Sequence, residues 1–469
     1  MSGRLHVLHP LLSVLLCGTL VSGSLPQRPE ATVAGQVPPA PSQEAETSFE
    51  LPRIEPGELA LLRPQPPPCV PHESLEALPV QPVPAPLRAL VGEGVADGRL
   101  DGVFLGLSVW VEGYGVVARR HQDRPLLPAS NQKVLIAMGV LATLPEEARL
   151  VTKVVGEGRV AGSQLQGDLV LVGGGDPTLT ASGSHSLATL AGRVRGAGIE
   201  EVGGRLVVDE TRYDSRRRAP GWLDFHVPAH IGPLSAITVS GNQYRSDDPF
   251  LADPATAAGE LFREALAREG VAVKGPVARR AAAPGSRLIG FLQSPPVTEL
   301  VRRMLTESDN TIAELLTKEV GYVRTGVGST QAGLHSITGA LRRKLCVPLV
   351  GTSGDGSGLS RQNRRSAREW RTLLQAAQAA PWWQRFSDSL PVAGKTGTLA
   401  SRFLGTAAAG NLRAKTGTIR VGRALSGSFI TSDGRTVFFS AIVNGRNTGS
   451  AMHAVDELLA ELAAHSGMK

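Results

Sequence analysis

The sequence contains a serine and a lysine at a spacing that suits a nucleophile and its base. Ser130 and Lys133 occur in PASNQK, just before the apolar run VLIAMGVLATL, which predicts a buried helix. Three residues apart in a first helical turn, their side chains share one face. A serine hydroxyl needs an adjacent base, and burial or a nearby cation can lower the pKa of a lysine enough for that task. The pair therefore suits acyl transfer, although a helix-capping serine is the simpler interpretation of Ser130 taken alone.

A second polar group falls between two predicted helices. In VRRMLTESDNTIAELL one apolar stripe ends at Leu305 and another begins at Ile312, so Ser308-Asp309-Asn310 lies at their junction. Such a junction can direct the Ser308 hydroxyl and the Asn310 amide into a cleft, where the serine would relay a proton and the amide would hold a substrate carbonyl. A helix cap is the alternative interpretation.

The tetrapeptide KTGT occurs twice, at Lys395–Thr398 and at Lys415–Thr418. On a strand edge its lysine would attract a carboxylate, its glycine would admit substrate close to the backbone, and its N–H groups would stabilise an oxyanion. Lys415 leads directly into the strand-like ALSGSFI and its hairpin partner, whereas Lys395 leads into LASRFLGTAAAG, which is typical of a surface excursion. We therefore expect Lys415, and not Lys395, to belong to a site.

Each motif is weak evidence by itself, because both serine spacings recur elsewhere. Ser466 and Lys469 match the first at the extreme C-terminus, and Ser240 and Asn242 match the second inside a β-like region. The succession Ser-x-x-Lys, Ser-Asp-Asn and Lys-Thr-Gly is far more specific, since class A β-lactamases and penicillin-binding proteins share it.

Longer segments narrow the resemblance. The sequence resembles the D-alanyl-D-alanine carboxypeptidase/endopeptidase family of low-molecular-mass class C penicillin-binding proteins, the S13-type serine peptidases. The resemblance covers nearly all of the chain after Pro86 and is carried by LLPASNQKVLIA, GDLVLVGGGDPTL, RRMLTESDNTIAELL, DGSGLSRQNR and LRAKTGT. That family inserts two domains between its first two motifs, which agrees with the 178 residues that separate Ser130 from Ser308. A β-lactamase has a much shorter gap.

The resemblance implies catalytic roles and a reaction. Ser130 would be the acylated nucleophile and Lys133 its base, while Ser308 and Asn310 would assist proton transfer and substrate positioning. Ser130 would attack the amide of a peptidoglycan stem peptide that ends in D-Ala-D-Ala, release D-alanine, and be freed by hydrolysis. Endopeptidase activity on cross-links is also compatible with the family, and β-lactam antibiotics would acylate the same serine.

The resemblance also implies how substrate is held. Lys415, Thr416, Gly417 and Thr418 would bind the terminal carboxylate, with the N–H groups of Ser130 and Thr418 as oxyanion donors. The family usually has a Gly-x-Asp-Gly-Ser/Thr-Leu turn before the third motif. GKTGTL occupies that place here and carries Thr396 in place of the aspartate.

Two other functions remain compatible with these motifs. One is a serine β-lactamase or esterase on the same fold, and the other is a catalytically silent protein that binds the cell wall.

The segments around the motifs predict an α+β fold. GVFLGLSVWVEGYGVVARRH reads as two strands joined by a turn, and ALSGSFI and RTVFFSAIVN flank the hairpin signal Ser432–Gly434. The last element, from Ser450 to His465, has apolar residues at helical spacing. These patterns predict an antiparallel sheet that is flanked by helices and shared by both ends of the body, which the resemblance identifies as a penicillin-binding transpeptidase/β-lactamase-like domain.

We expect residues 87–150 and 296–469 to form this catalytic domain in two pieces. Residues 151–295 have many short β-like runs punctuated by glycine and none of the chemistry above, so we expect one or two inserted β-rich subdomains there.

The N-terminal region predicts export. Residues 1–23 resemble a secretory signal peptide, because Arg4 precedes an apolar run of 11 residues, fewer than the ~20 that span a bilayer. An uncleaved anchor is the alternative. Residues 24–86 contain 16 of the 33 prolines and predict a disordered linker. We therefore expect an extracytoplasmic protein without a stable membrane span after signal cleavage, in which Cys69 and Cys346 are either paired or free.

No cofactor, metal or nucleic-acid partner is expected. Pro228 lies between His226 and His230 and prevents the helix that would make them a metal pair, and no cysteine cluster occurs. Basic runs are short and lack interleaved aromatic residues. Residues 1–86 hold 4 Arg and 8 Glu, so the remainder carries a net charge of +11, which suits work against an anionic cell wall.

Overall fold

The computed structural model describes residues 81–242 and 249–466. The helices longer than one turn are α1 Ala85–Val95, α2 Gln132–Thr143, α3 Leu187–Gly196, α4 Pro254–Arg268, α5 Val297–Thr306, α6 Asn310–Thr325, α7 Thr330–Leu345, α8 Ala367–Ala377, α9 Trp383–Ser389 and α10 Thr448–Ala464. The strands are β1 Phe104–Val111, β2 Gly115–Arg120, β3 Val151–Ala161, β4 Gln164–Val172, β5 Glu201–Val202, β6 Leu206–Asp209, β7 Ala272–Val273, β8 Val277–Arg279, β9 Arg287–Gln293, β10 Arg413–Ile419, β11 Gly422–Ile430 and β12 Thr436–Asn444.

The main sheet joins strands from both ends of the described chain. Its order is β10-β11-β12-β1-β2, and every neighbouring pair is antiparallel. The central pair runs from Phe104 opposite Asn444 to Val111 opposite Val437. The predicted α+β class, and the antiparallel sheet shared by the two termini, are therefore confirmed.

Helices cover both faces of this sheet. Alternate residues of β12 serve different cores, because successive side chains on a strand point to opposite faces. Phe438 and Ile442 pack with the helices α2 and α5–α9, whereas Phe439 and Val443 pack with α1 and α10. The sheet is thus the middle layer of three, and its strands are apolar on both sides.

Helix α2 lies entirely inside the larger core. Every one of its residues is buried, including Lys133. A helix that is apolar all round must be surrounded by other elements, and here α7 packs so closely that a Cβ at Gly139 would collide with Ile337. The predicted buried helix is confirmed, and it provides a rigid base for the turn that precedes it.

A second sheet occupies the chain between Val151 and Gln293. Its path is β7-β5-β4-β3-β9, with β6 paired to β4 and β8 to β6. Helices α3 and α4 pack on it through a separate apolar core. The region therefore contains two substantial helices besides the predicted strands. Their apolar faces cover one side of the sheet.

Several predictions about the N-terminal region concern residues that the structure does not describe. The proposed signal peptide, most of the linker, Cys17 and Cys69 lie outside the described ranges. Helix α1 begins at Ala85, so it includes the last two residues of the predicted linker. Cys346 is disulfide-bonded, whereas Cys69, with which the sequence left its pairing open, lies outside the described ranges. Across residues 81–242 and 249–466, no helix has both the length and the apolar character needed to cross a bilayer.

Candidate active site

Ser130 lies at the bottom of a cleft, in the turn that leads into α2. The 3-10 turn Ala129–Asn131 precedes the helix, and Ala129 has a positive φ of 48°. The Ser130 side chain is half-buried and lines the cleft. Its hydroxyl does not cap the helix, because Asn131 stands at the cap position and makes no capping bond either. The capping interpretation of Ser130 is therefore wrong.

Lys133 lies below Ser130 and makes three polar contacts. Its Nζ is 3.1 Å from Ser130 Oγ, 2.7 Å from Asn310 Oδ1 and 2.6 Å from the carbonyl oxygen of Ser357. The lysine is fully buried, and burial lowers its pKa to about 8, against smaller opposing effects of Asp355, Asp309 and Glu314. This pKa leaves a substantial fraction of free amine near neutral pH.

In the Ser308-Asp309-Asn310 triplet, the middle residue caps a helix and the two outer residues line the cleft. Asp309 is the N-cap of α6, and its side chain accepts a hydrogen bond of 2.8 Å from Ile312 N. Ser308, with a φ of 62°, and Asn310 both line the cleft. The expected junction between two helices is confirmed, because α5 ends at Thr306 and α6 begins at Asn310.

Strand β10 places the second KTGT motif against the Ser130 turn. It is the terminal strand of the main sheet, and Lys415 is fully buried in it. Burial and the neighbouring Lys133 hold the pKa of Lys415 well below its usual value. A Cβ at Gly417 would lie 2.8 Å from Pro128 O and 3.0 Å from Ser130 N, so a glycine is needed for this close approach.

Asn131 fastens the serine turn to the sheet. Its side-chain amide lies 2.7 Å from both Lys415 O and Ser426 Oγ, and it can donate to the first and accept from the second. Ser426 Oγ is in turn 2.8 Å from Ser440 Oγ. A buried polar network of this kind fixes one relative position of its elements. No pattern in the sequence pointed to a role for Asn131.

The first KTGT motif lies at the surface beside the second. Lys395 is exposed, whereas Thr416 Oγ1 donates to Thr398 Oγ1 at 2.7 Å. Thr396, which replaces the usual aspartate, accepts from Val392 N at 3.0 Å through its hydroxyl. The expected surface position of Lys395 is confirmed, and Thr396 performs a local turn function.

The loop between α7 and α8 forms another wall of the site. Asp355 is buried there and accepts hydrogen bonds from five donors: Trp222 Nε1, Ser357 Oγ, Gly358 N, Ser360 N and Asn363 Nδ2. A Cβ at Gly358, whose φ is 93°, would collide with Ala129 O. The loop therefore packs closely against the serine turn, as β10 also does. The DGSG sequence of residues 355–358 was the feature that could have indicated this loop, but no motif spacing assigned it a function.

The region between the first two motifs also reaches the cleft, although it carries none of the three motifs. The cleft has a volume of about 610 Å³. It is lined by Ser130, Phe225, His226, His230, Ser308, Asn310, Leu359, Arg361, Thr418, Ile419, Arg420, Arg423 and Thr448. Asn310 Nδ2 donates to His230 O at 2.9 Å. Residues 151–295, which carry none of the three motifs, therefore also contribute to the cleft wall.

The alternative motifs lie elsewhere. Asn242 is buried and uses its side chain to bond Val239 N and Pro233 O, as a turn residue does. Lys469 lies outside the described residues. Val227 leaves helical geometry between the two histidines, whose rings are 5.9 Å apart. Among the described residues, no group of three or more His, Cys, Asp or Glu side chains is arranged to hold a metal ion.

Comparison with known proteins gives a consistent result. The family model of the D-Ala-D-Ala carboxypeptidase 3 (S13) family matches residues 87–247 and 250–466. A D-alanyl-D-alanine carboxypeptidase of an Actinomadura species is 31% identical, covering 81% of this chain and 85% of its own. Carboxypeptidase DacB of Mycolicibacterium smegmatis is 33% identical over 79% of this chain and 80% of its own.

A solved structure shows the same fold. The crystal structure of penicillin-binding protein 4 (dacB) from Haemophilus influenzae superposes with a TM-score of 0.72 at 21% identity, covering 81% of this chain and 99% of the other. This likeness confirms the predicted fold. The family match and the two relatives confirm the predicted activity of a serine-type carboxypeptidase, and the chain belongs to the D-Ala-D-Ala carboxypeptidase 3 (S13) family.

Proposed function

We propose that Ser130 is the nucleophile that attacks the terminal D-Ala-D-Ala amide of peptidoglycan stem peptides. The single observation that carries the assignment is the position of Lys133 Nζ, 3.1 Å from Ser130 Oγ in a fully buried environment. A general base must lie within hydrogen-bond reach of the proton it takes and have a pKa near the working pH. Lys133 meets both conditions.

The contacts of Lys133 also orient it. A neutral amine has two N–H donors and one lone pair. The carbonyl oxygens of Asn310 and Ser357 lie 2.7 and 2.6 Å from Nζ and occupy the two donors. The lone pair is then left for the Ser130 hydroxyl. The proton of the Ser130 hydroxyl passes to Lys133 Nζ as Ser130 Oγ bonds to the substrate carbonyl carbon. Lys133, assisted by the Ser308 hydroxyl, then returns a proton to the departing D-alanine amine.

Strand β10 supplies the binding edge in this proposal. The N–H groups of Ser130 and Thr418 would donate to the oxyanion, and the close approach at Gly417 supports this arrangement. Lys415, Thr416 and Thr418 would hold the terminal carboxylate. Lys415 is buried, and strand β10 contains no Asp or Glu. The carboxylate of an arriving substrate would supply a counter-charge and favour the protonated form of Lys415.

The remaining expectations follow from the same assignment. We propose that residues 87–150 and 296–469 form the catalytic domain and that 151–295 is inserted in it. The protein would act outside the cytoplasm after signal cleavage, would bind β-lactam antibiotics, and would cleave peptide cross-links where these fit the cleft. The β-lactam complex of H. influenzae penicillin-binding protein 4 supports the antibiotic assignment by analogy of fold.

A fluorescent penicillin tests the nucleophile. Wild type is expected to become covalently labelled and to release D-alanine from a D-Ala-D-Ala peptide, whereas Ser130→Ala should do neither. Ser466→Ala, in the C-terminal match to the same spacing, is the control and should label normally. If Ser130→Ala labels like wild type, the assignment is wrong. Rapid turnover of the penicillin adduct would instead favour a β-lactamase.

A further inference from the structure

A buried glutamate next to the site has no function in the mechanism above. Glu314 lies on α6 four residues after Asn310, so both side chains share one helix face. Its side chain is fully buried. Oε1 accepts hydrogen bonds from Gly356 N at 3.0 Å and Ser357 N at 2.7 Å. Within the described residues, its other oxygen has no hydrogen-bond partner.

An unpartnered buried carboxyl oxygen is costly, so its retention calls for a reason. Asp355 already organises most of the loop, including the Gly358 N–H at 3.0 Å. Glu314 accepts a hydrogen bond from the Ser357 N–H, which precedes the Ser357 Cα, whereas the Gly358 N–H follows it. The two carboxyl groups together fix the peptide groups that flank this one residue. The carbonyl oxygen of Ser357 is the atom that accepts from Lys133 Nζ at 2.6 Å.

We propose that Glu314 is a positioning residue for Lys133: its buried carboxyl group holds the Gly356–Ser357 turn, and that turn holds the lysine amine in line with Ser130. The inference rests on the proposed function of Ser130 and Lys133. It concerns no contact with substrate, because Glu314 acts only through the turn and through its charge.

The charge of Glu314 gives the inference a distinctive consequence. Burial, followed by the nearby Asp355, raises the pKa of Glu314 to about 8. Asp309, Glu314 and Asp355 favour the charged form of Lys133, and the nearby Lys415 has a pKa that Lys133 helps to lower. Ionisation of Glu314 therefore opposes deprotonation of Lys133. A glutamate that only packed would leave the pH dependence of Lys133 unchanged.

Glu314→Gln separates these cases, because glutamine keeps an oxygen for the two backbone N–H groups and removes the charge. The measurement is the second-order rate of labelling by fluorescent penicillin from pH 6 to 10, together with thermal stability. We expect the acid limb of the Glu314→Gln profile to move to lower pH by roughly half a unit to one unit, the scale of one lost nearby charge. Glu314→Ala should also lower the plateau by about tenfold or more, since it frees the turn.

Glu319→Gln is the matched control. Glu319 is another buried glutamate of α6, but its hydrogen bonds are to Arg212 and Tyr213 and not to the Gly356–Ser357 turn. Its variant should lose stability without any movement of the acid limb. If the Glu314→Gln profile superimposes on that of wild type, the inference is overturned.

A measurement on wild type covers the case in which Glu314→Gln does not fold. Infrared difference spectra of protein containing ¹³C-labelled glutamate should show a protonated carboxyl group that disappears over the pH range in which labelling rises. The absence of such a band overturns the inference. If wild type is not labelled at all, the proposed function fails instead, so the two failures are distinguishable.

Discussion

The rate of acylation should depend on pH through Lys133. Burial lowers the pKa of this lysine from 10.5 to about 8. At pH 7 about one-tenth of the lysine is then free amine, compared with roughly one part in three thousand for an unperturbed lysine. Burial thus increases the population of the base about 300-fold. A deprotonated base is required for attack, so the rate rises as pH increases through the pKa and becomes level above it.

The assay is the second-order rate constant for labelling by fluorescent penicillin, measured below saturation from pH 6 to 10. We expect an increase of about tenfold between pH 6 and 7 and a plateau above pH 8 to 9. The pKa of His226 in the cleft wall lies below its ordinary value of 6.5 through burial, so its titration falls on the acid side of this limb.

Lys133→Arg provides the decisive comparison, because a guanidinium group keeps its proton throughout this range. Its rate should fall by about 10²- to 10⁴-fold, the usual contribution of a general base. A wild-type rate that stays constant from pH 6 to 9, or a folded Lys133→Arg protein that labels at the wild-type rate, would refute the assignment of the base.

Two further predictions concern strand β10. Lys415→Ala should lose most carboxypeptidase activity because it removes the buried amine that would pair with the substrate carboxylate, whereas Lys395→Ala, at an exposed position, should retain activity. Equal activity of the two variants in a D-alanine release assay would contradict the choice between the duplicated motifs. Gly417→Ala should slow penicillin labelling by about tenfold or more, because the added Cβ would displace the Ser130 backbone. Gly98→Ala is the control and should leave labelling unchanged, because nothing lies within 4 Å of a Cβ at that position. Equal labelling rates for the two variants would show that the strand does not need this close approach.

The sequence could predict the elements whose signals are local. The apolar run after Lys133 specified a buried helix, and the hairpin around Asp433 specified two strands of the main sheet. The order of three short motifs selected Ser130 over Ser466, and the strand signal that follows Lys415 selected it over Lys395. Each of these inferences uses residues that are close together in the chain, where helical or strand periodicity determines which side chains share a face.

The partners that orient the site were beyond such reasoning, because they come from distant parts of the chain. Asn131 bonds Ser426, 295 residues away, and Lys133 bonds the carbonyl of Ser357, 224 residues away. Glu314 is an ordinary member of a helix in sequence, and it becomes unusual only when the loop at Ser357 closes over it. Long-range contacts of this kind depend on topology, which short motifs do not encode.

Residues 151–295, which carry none of the three motifs yet contribute to the cleft wall, illustrate the same limit and its physical cause. Within this region, the Tyr213 hydroxyl donates to Glu319 Oε2 at 3.0 Å, and Asp214 forms an ion pair with Lys318. Glu319 and Lys318 belong to α6, whose first residue is Asn310. Helix α6, which presents Asn310 to Lys133, therefore also anchors the chain segment that contains Tyr213 and Asp214. Asn310 Nδ2 itself donates to His230 O at 2.9 Å, so the position of this part of the cleft wall depends both on packing along α6 and on a residue of the second motif.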